Sequence, residues 1–124
     1  MARILVAEDE EALRAFIVRA LKQDGHEVAA AADGAEALDL LSADKAEFDL
    51  LLTDIRMPIM DGIALALAAA RDRPDLMILL MTGYADQRER AHGLDALIHD
   101  VIAKPFSLAE IRGAVAEALA AKSR

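Results

Sequence analysis

Two patterns of apolar and polar positions alternate along the chain. Residues 4–7 (Ile-Leu-Val-Ala) form a short, unbroken apolar run, which predicts a buried strand. Leu13, Phe16, Ile17, Ala20 and Leu21 then recur at helical spacing, and Asp24-Gly25 ends that helix. Residues 28–32 predict a second strand, weaker because its composition is mixed, and Asp33-Gly34 turns into a helix carrying Leu38 and Leu41. Residues 48–53 predict a third strand. Asp61-Gly62 leads into an Ala/Leu-rich helix that ends before Pro74, because the residue ahead of a proline is pushed out of the helical region. Residues 77–81 are continuously apolar and predict a fourth strand. Asp86-Gln87-Arg88-Glu89 has the form of a capping box opening a short helix, and residues 97–103 hold a fifth strand. A second capping box, Ser107-Leu108-Ala109-Glu110, precedes Ile111, Val115 and Leu119 on one helical face.

These are five strand–helix units with no repeat, linker or low-complexity stretch between them. Such alternation predicts an α/β fold, a five-stranded parallel sheet doubly wound with helices on both faces. Strands one, three and four are apolar throughout and belong at the centre, while the mixed second strand suits an edge. In sheets of this kind the site lies beyond the carboxyl ends of the strands.

Composition narrows the function classes. The 124 residues suit one domain, residues 1–124, with no room for a separate output module, and 56% apolar content supports a core. The formal net charge of −8 disfavours nucleic-acid binding by this chain, since phosphate backbones would repel it. Aromatic residues are only 3%, so stacking platforms for bases are scarce. The absence of cysteine excludes disulfides, thiolate metal sites and thiol nucleophiles. The first apolar run ends in Glu8-Asp9-Glu10-Glu11, unlike a signal peptide, and the longest apolar stretch, residues 63–70, is too short for a bilayer. The expectation is a cytoplasmic protein with no membrane partner.

The reactive residues fall where such a sheet would gather them. Glu8, Asp9 and Glu10 follow strand one, Asp54 follows strand three, Thr82-Gly83 follow strand four, and Lys104-Pro105 follow strand five. Carboxylates brought together repel and call for a cation. Oxygen donors without His or Cys suit Mg²⁺, or Mn²⁺ in its place, and Mg²⁺ keeps positions open for a phosphate oxygen. Lys104 offers a point charge to the same phosphate, and Thr82 can donate its hydroxyl proton to a phosphoryl oxygen. An aspartate can attack phosphorus to give an acyl phosphate. Asp54, after the central apolar strand, is the candidate, with Glu8 and Asp9 holding the metal directly or through water.

Asp54-Ile55-Arg56-Met57-Pro58-Ile59-Met60-Asp61-Gly62, taken with the early acids, Thr82-Gly83 and Lys104-Pro105-Phe106, resembles the receiver domain of bacterial response regulators over the full length of the chain. The resemblance implies a CheY-like (flavodoxin-like) sheet in the order 2-1-3-4-5. It implies a phosphoacceptor at Asp54 and a metal site at Glu8, Asp9, Asp54 and the backbone carbonyl of Arg56. It also implies phosphoryl sensing by Thr82 and Lys104 and a cis Lys104-Pro105 bond. The donor would be a histidine kinase or a histidine phosphotransfer protein. The chain would be no enzyme in the ordinary sense, only an acceptor that catalyses its own phosphorylation and dephosphorylation. Residues 1–7, 53–70 and 79–106 are further similar to single-domain receivers of alphaproteobacteria that act in the cell cycle. In that group the unphosphorylated form primes the ClpXP protease, through ClpX, and phosphorylation turns this off.

Two positions depart from the family pattern. Glu8 stands where the first acid is usually Asp, which moves a carboxylate by one methylene. Val101 stands three residues before Lys104, where many receivers have Tyr or Phe, so an aromatic turning inward behind Thr82 is not this chain's switch. The expected route runs instead through Thr82, the Tyr84 loop and the helix from Asp86. The output face would be that helix, the fifth strand and the last helix.

Other residues have ordinary explanations. Glu10 and Glu11 suit a helix N-terminus. Asp61-Gly62 reads as a turn and helix start, Met57 and Met60 as packing. His26, His92 and His99 share no ligand spacing, and Arg71, Arg73, Arg88 and Arg90 read as solvated faces. Competing functions are an aspartyl-phosphate hydrolase, a degenerate receiver, a phosphoryl shuttle or sink, and a diffusible regulator of motility. A hydrolase would need a second acid two residues after the nucleophile, where this chain has Arg56. A dinucleotide-binding fold fails because no G-x-G-x-x-G follows strand one.

Overall fold

The computed structural model describes residues 2–43, 47–83, 91 and 93–122. The elements are β1 (Arg3–Ala7), α1 (Glu11–Gln23), β2 (Glu27–Ala31), α2 (Gly34–Ser42), β3 (Leu50–Asp54), α3 (Gly62–Asp72), β4 (Met77–Thr82), β5 (Asp100–Ala103) and α4 (Leu108–Lys122). All strand pairs are parallel, in the order β2-β1-β3-β4-β5. The mixed strand is an edge and the three apolar strands are central, because only strands covered on both faces can be apolar throughout.

Alternation along the strands sorts the core into two layers. Leu5, Ala7, Leu51, Ile78 and Leu80 pack with Ala37, Leu41, Leu65 and Ala69 of α2 and α3. Ile4, Val6, Leu50, Leu52, Leu79 and Met81 pack with Ile17 and Leu21 of α1 and Ile111 and Val115 of α4. Leu50, Leu51 and Leu52 are fully buried, and each contributes about 2 kcal/mol by leaving water.

The helix starts follow side-chain chemistry. Asp33 accepts from the Glu36 N–H at 2.8 Å and Asp61 from the Ala64 N–H at 2.8 Å, so both Asp-Gly pairs are N-caps. The capping box at Ser107 and Glu110 is reciprocal: the Ser107 hydroxyl accepts from Glu110 N–H at 3.0 Å, and the Glu110 carboxylate accepts from Ser107 N–H at 2.9 Å.

Four readings change at their edges. Phe16 is 45% exposed rather than core, because Ile17, Ala20 and Leu21 form the buried stripe and Phe16 lies at its margin. The fifth strand spans Asp100–Ala103, not 97–103. Leu97 and Ile98 donate to the Leu94 carbonyl at 2.7 and 3.0 Å, and only His99 reaches β4, donating to Ile78 at 2.7 Å. Asp54 and Thr82 end β3 and β4 rather than following them. The helix expected from Asp86, with Tyr84, Arg88, Arg90 and His92, lies outside the described residues, and so does the proposed Tyr84 route.

Two glycines are required by close approach. A Cβ on Gly34 would stand 2.2 Å from the Met60 carbonyl oxygen, and one on Gly62 would stand 2.0 Å from that of Asp54. The loop from Met57 to Asp61 is therefore clamped between α2 and β3. At its tip Ile59 has φ 70°, and Met60 N–H donates to the Pro58 carbonyl at 2.8 Å across a three-residue turn. A β-branched residue is strained there, and the Ile59 side chain is 84% exposed, so packing offsets little of the cost. Ile59→Asn is expected to stabilise the protein by about 1 kcal/mol, since Asn tolerates the left-handed region. Urea denaturation checks this: a midpoint no higher than that of the parent protein would mean the turn is not strained.

Candidate functional site

At the carboxyl ends of the strands Glu8, Asp9, Glu10, Leu13, Asp54, Arg56, Gly83, Lys104, Pro105 and Phe106 line a cleft of about 640 Å³. Glu8 follows β1, Asp54 closes β3 and Lys104 follows β5. Register sets their level in the sheet: Ala7 pairs with Thr53, Asp54 with Met81, and Thr82 with Ala103.

Glu8 is held from several sides. Its N–H donates to the Ala31 carbonyl at 3.1 Å, and its own carbonyl accepts from Arg14 Nη1 at 2.9 Å. One carboxylate oxygen, Oε2, accepts from Glu10 N–H at 3.0 Å; the other, Oε1, accepts from Lys104 Nζ at 2.8 Å. Lys104 Nζ also lies 3.2 Å from Asp54 Oδ1, and that oxygen accepts from Ile55 N–H at 3.1 Å. Glu8 and Asp54 are buried while Asp9 is exposed, and carboxylate oxygens of all three lie within 4.8 Å of one another.

One ammonium faces the cluster of three carboxylates, so the cluster itself carries excess negative charge. Burial pushes the Glu8 carboxyl above its ordinary range, with Lys104 and the Glu10 N–H opposing and the Asp54 charge adding to it. Burial likewise raises Asp54, against the pull of Lys104. Burial also works against the charge on Lys104, but the hydrogen bond to Glu8 and the charge of Asp54 outweigh it and hold the ammonium above its ordinary value. The donor set is all oxygen and negatively charged, which fits a hard divalent cation such as Mg²⁺.

The raised carboxyls have a consequence for stability. A carboxyl with a raised folded-state pKa binds its proton more readily folded than unfolded. Its contribution is therefore fully present below the unfolded value and lost as pH rises through the folded one. Metal-free protein is expected to become more stable as pH falls from neutral toward the ordinary values of 4.5 for Glu8 and 3.8 for Asp54. Thermal melts in chelator across that range test the sign. A rise that vanishes in the Glu8→Gln, Asp54→Asn double variant assigns it to these groups, and a flat wild-type profile removes the effect.

The structure thus brings Glu8, Asp9, Asp54, Arg56 and Lys104 to one cleft. Thr82 is buried at the end of β4, and its carbonyl accepts from Lys104 N–H at 2.8 Å, but the cleft wall beside it is Gly83. Val101 is half-buried against the α2/α3 layer. The Lys104-Pro105 bond is cis. Sequence reasoning missed Arg14 as the brace on the Glu8 carbonyl, because an arginine in a helical face carries no sign of its partner. It also missed Leu13 as an apolar cleft wall, since helical spacing alone assigns it to packing, and had Phe106 only as part of the Lys104-Pro105-Phe106 motif.

Comparison with known proteins agrees with this geometry. The sequence model of the response regulator receiver domain matches residues 4–116. The chain is 39% identical over 109 residues to the response regulator MprA of Mycobacterium avium, covering 88% of this chain and 47% of that protein. It therefore spans about half the length of that curated relative. Among solved structures, a CheY-like response regulator receiver domain protein from Methanospirillum hungatei superposes with a TM-score of 0.90 at 29% identity, covering 99% of this chain and 97% of the other. The response regulator TrrA from Thermotoga maritima, solved with Mg²⁺-BeF, superposes with a TM-score of 0.83 at 29% identity, covering 95% of this chain and 99% of that one.

Proposed function

The chain belongs to the response regulator receiver family, a phosphoryl-accepting switch of two-component signalling, and from that premise we propose that Asp54 is its phosphoacceptor. The observation that carries the reading is the Lys104 ammonium set between Glu8 and Asp54 beside Asp9. Glu8, Asp9, Asp54 and the Arg56 carbonyl would hold Mg²⁺, which when bound offsets charge on the transferring phosphoryl group.

The chain's own groups do the rest. An Asp54 carboxylate oxygen attacks the phosphorus of a phosphohistidine, from a histidine kinase or a phosphotransfer protein. The oxygen–phosphorus bond forms as the phosphorus–nitrogen bond breaks, and the imidazole leaves. Lys104 neutralises a phosphoryl oxygen, and Thr82 donates its hydroxyl to another when the β4 end closes on the site. The direct test is exposure to acetyl phosphate with and without Mg²⁺, followed by intact mass. One phosphoryl group gained only with Mg²⁺ and lost slowly is the expected result. Catalytic turnover would mark a hydrolase and no uptake a degenerate receiver, and either would overturn the proposal.

Within that function we favour a CpdR-like role, in which the unphosphorylated form primes ClpXP and phosphorylation turns it off. It is supported by the likeness of residues 80–91 to that group. Pull-down with Mg²⁺ alone and with Mg²⁺ plus beryllofluoride tests it. ClpX captured by the unmodified form and released by the mimic is expected. Partners gained only with the mimic would instead mark an output activated by phosphorylation, and capture of phosphotransfer proteins alone would mark a shuttle.

A further inference from the structure

The helix α3 is apolar on every side. Its residues 62–70 are Gly, Ile, Ala and Leu, without one polar side chain. A helix of that composition is expected to be covered all round. Ile63, Leu65, Ala66 and Ala69 are covered, but Ala64, Leu67 and Arg71 are exposed and Ala68 is half-buried. These four stand at i, i+3, i+4 and i+7 and make one outward stripe. Alanines there need no partner, since they favour the helix itself. Leu67 has no such reason to be outside, and it is 46% exposed in the middle of the stripe. By contrast α1 meets solvent with Glu11, Arg19, Lys22 and Gln23 among its exposed residues.

Beside α3 in the same layer lies α2, whose Ala37 and Leu41 share a core with Leu65 and Ala69. The outward positions of α2 include Glu36 and Asp39, and the helix carries no cation. Arg73 locks the far ends of the two helices together, its Nε and Nη2 donating to the Leu41 carbonyl at 3.0 and 2.6 Å. A cleft of about 330 Å³ opens between those ends, lined by Leu38, Leu41, Ser42, Asp72 and Arg73.

We propose that the outward face of α2 and α3 docks an amphipathic helix of a partner protein, its apolar stripe on Leu67 and its flanking lysines or arginines toward Glu36 and Asp39. The two small alanines beside Leu67 let an incoming helix come close. An apolar side chain from its end enters the cleft against Leu38. The eleven residues of α3 offer roughly 16 Å, about three turns, for the contact. A helix suits this face because α2 and α3 satisfy their own backbones and present no sheet edge to an added strand. A second copy of this chain does not suit it. A two-fold interface uses the same patch on both partners, which would set Glu36 and Asp39 near their own like charges on two chains of net charge −8 each. The surface shares no residue with the cleft at the carboxyl ends of the strands, so it stands whether or not Asp54 accepts a phosphoryl group.

The probe is a synthetic Leu/Lys amphipathic helix, with a Leu/Glu twin, titrated into isotope-labelled protein and followed by amide shifts. Shifts from the Leu/Lys helix should gather on residues 36–42 and 64–73. Leu67→Glu should weaken its binding about ten-fold or more. The double variant Glu36→Lys, Asp39→Lys should also weaken it and should gain affinity for the Leu/Glu twin. Glu27→Lys with Asp75→Lys makes the same charge change at exposed positions outside both helices and should alter binding little. Should Leu67→Glu not fold, Leu67→Ser must still weaken binding. Shifts spread over the whole acidic surface, or an equal loss in the Glu27/Asp75 control, would mean attraction by net charge alone and overturn the proposal. Equal binding of the twin would overturn the acidic flank. A dimer in sedimentation that Leu67→Glu disperses would make the occupant a second copy and overturn it too.

Discussion

Gly62→Ala is expected to destabilise the protein by about 3 kcal/mol or more and to abolish phosphoryl uptake in whatever fraction still folds. The new Cβ would stand 2.0 Å from the Asp54 carbonyl oxygen, 2.8 Å from its carbon and 2.9 Å from the Ile55 Cα. All three are backbone atoms of a fully buried central strand end, so no rotamer change relieves the clash. Gly62 N–H donates to the Ile55 carbonyl at 2.7 Å, which ties the first turn of α3 to the same stretch of chain. To admit a methyl group, α3 must retract and the peptide between Asp54 and Ile55 must tilt. The Ile55 N–H that orients Asp54 Oδ1 tilts with it. Gly113 is the control. A Cβ there meets nothing within 4 Å, so Gly113→Ala should stabilise by up to about 1 kcal/mol through helix propensity. Urea unfolding of both variants, with acetyl phosphate labelling, makes the comparison. A Gly62→Ala protein within about 1 kcal/mol of its parent would mean the two backbones do not approach so closely.

That contact also shows what the sequence could and could not disclose. The central places of β3 and β4 were legible because central parallel strands are apolar on both faces, as the runs at Leu50–Leu52 and Ile78–Met81 are, whereas the order of the sheet came from the resemblance to the receiver family. The gathering of Glu8, Asp54 and Lys104 was legible for the same reason, since each lies at the carboxyl end of its strand. Asp33-Gly34 and Asp61-Gly62 read equally well as turns. Nothing in either dipeptide reveals that Gly34 bears on Met60, or Gly62 on Asp54, since those contacts join separate segments. Phe16 was misplaced because helical spacing marks a stripe without marking its margin. β5 starts only at Asp100 because Leu97 and Ile98, although apolar, bond to Leu94 in a turn. The ammonium shared between Glu8 and Asp54 was beyond the sequence: proximity at a sheet edge says which groups meet, not which oxygens the ammonium takes.

Asp54→Asn should do two opposite things. Phosphoryl uptake from acetyl phosphate should be lost, since a neutral amide is no nucleophile toward phosphorus and forms no acyl phosphate. Metal-free stability at neutral pH should rise by about 1 kcal/mol, as often happens when a strained site is relieved of its function. The cause is the burial that raises the Asp54 carboxyl above its ordinary range: the fold disfavours the ionised form that the proposed chemistry requires. The amide oxygen can still accept from Ile55 N–H, the 3.1 Å bond Asp54 makes, and Lys104 keeps its 2.8 Å contact with Glu8, so neither group is stranded. Added Mg²⁺ should stabilise the wild type strongly and the variant weakly, because one cation ligand has lost its charge. Thermal melts with chelator and with Mg²⁺ separate the cases. If Asp54→Asn melts below wild type in chelator, the Lys104–Asp54 ion pair outweighs the burial of its charge. If the variant melts higher, ionised Asp54 is a standing strain on the metal-free fold, one that its proposed role as phosphoacceptor requires and that a bound cation would relieve.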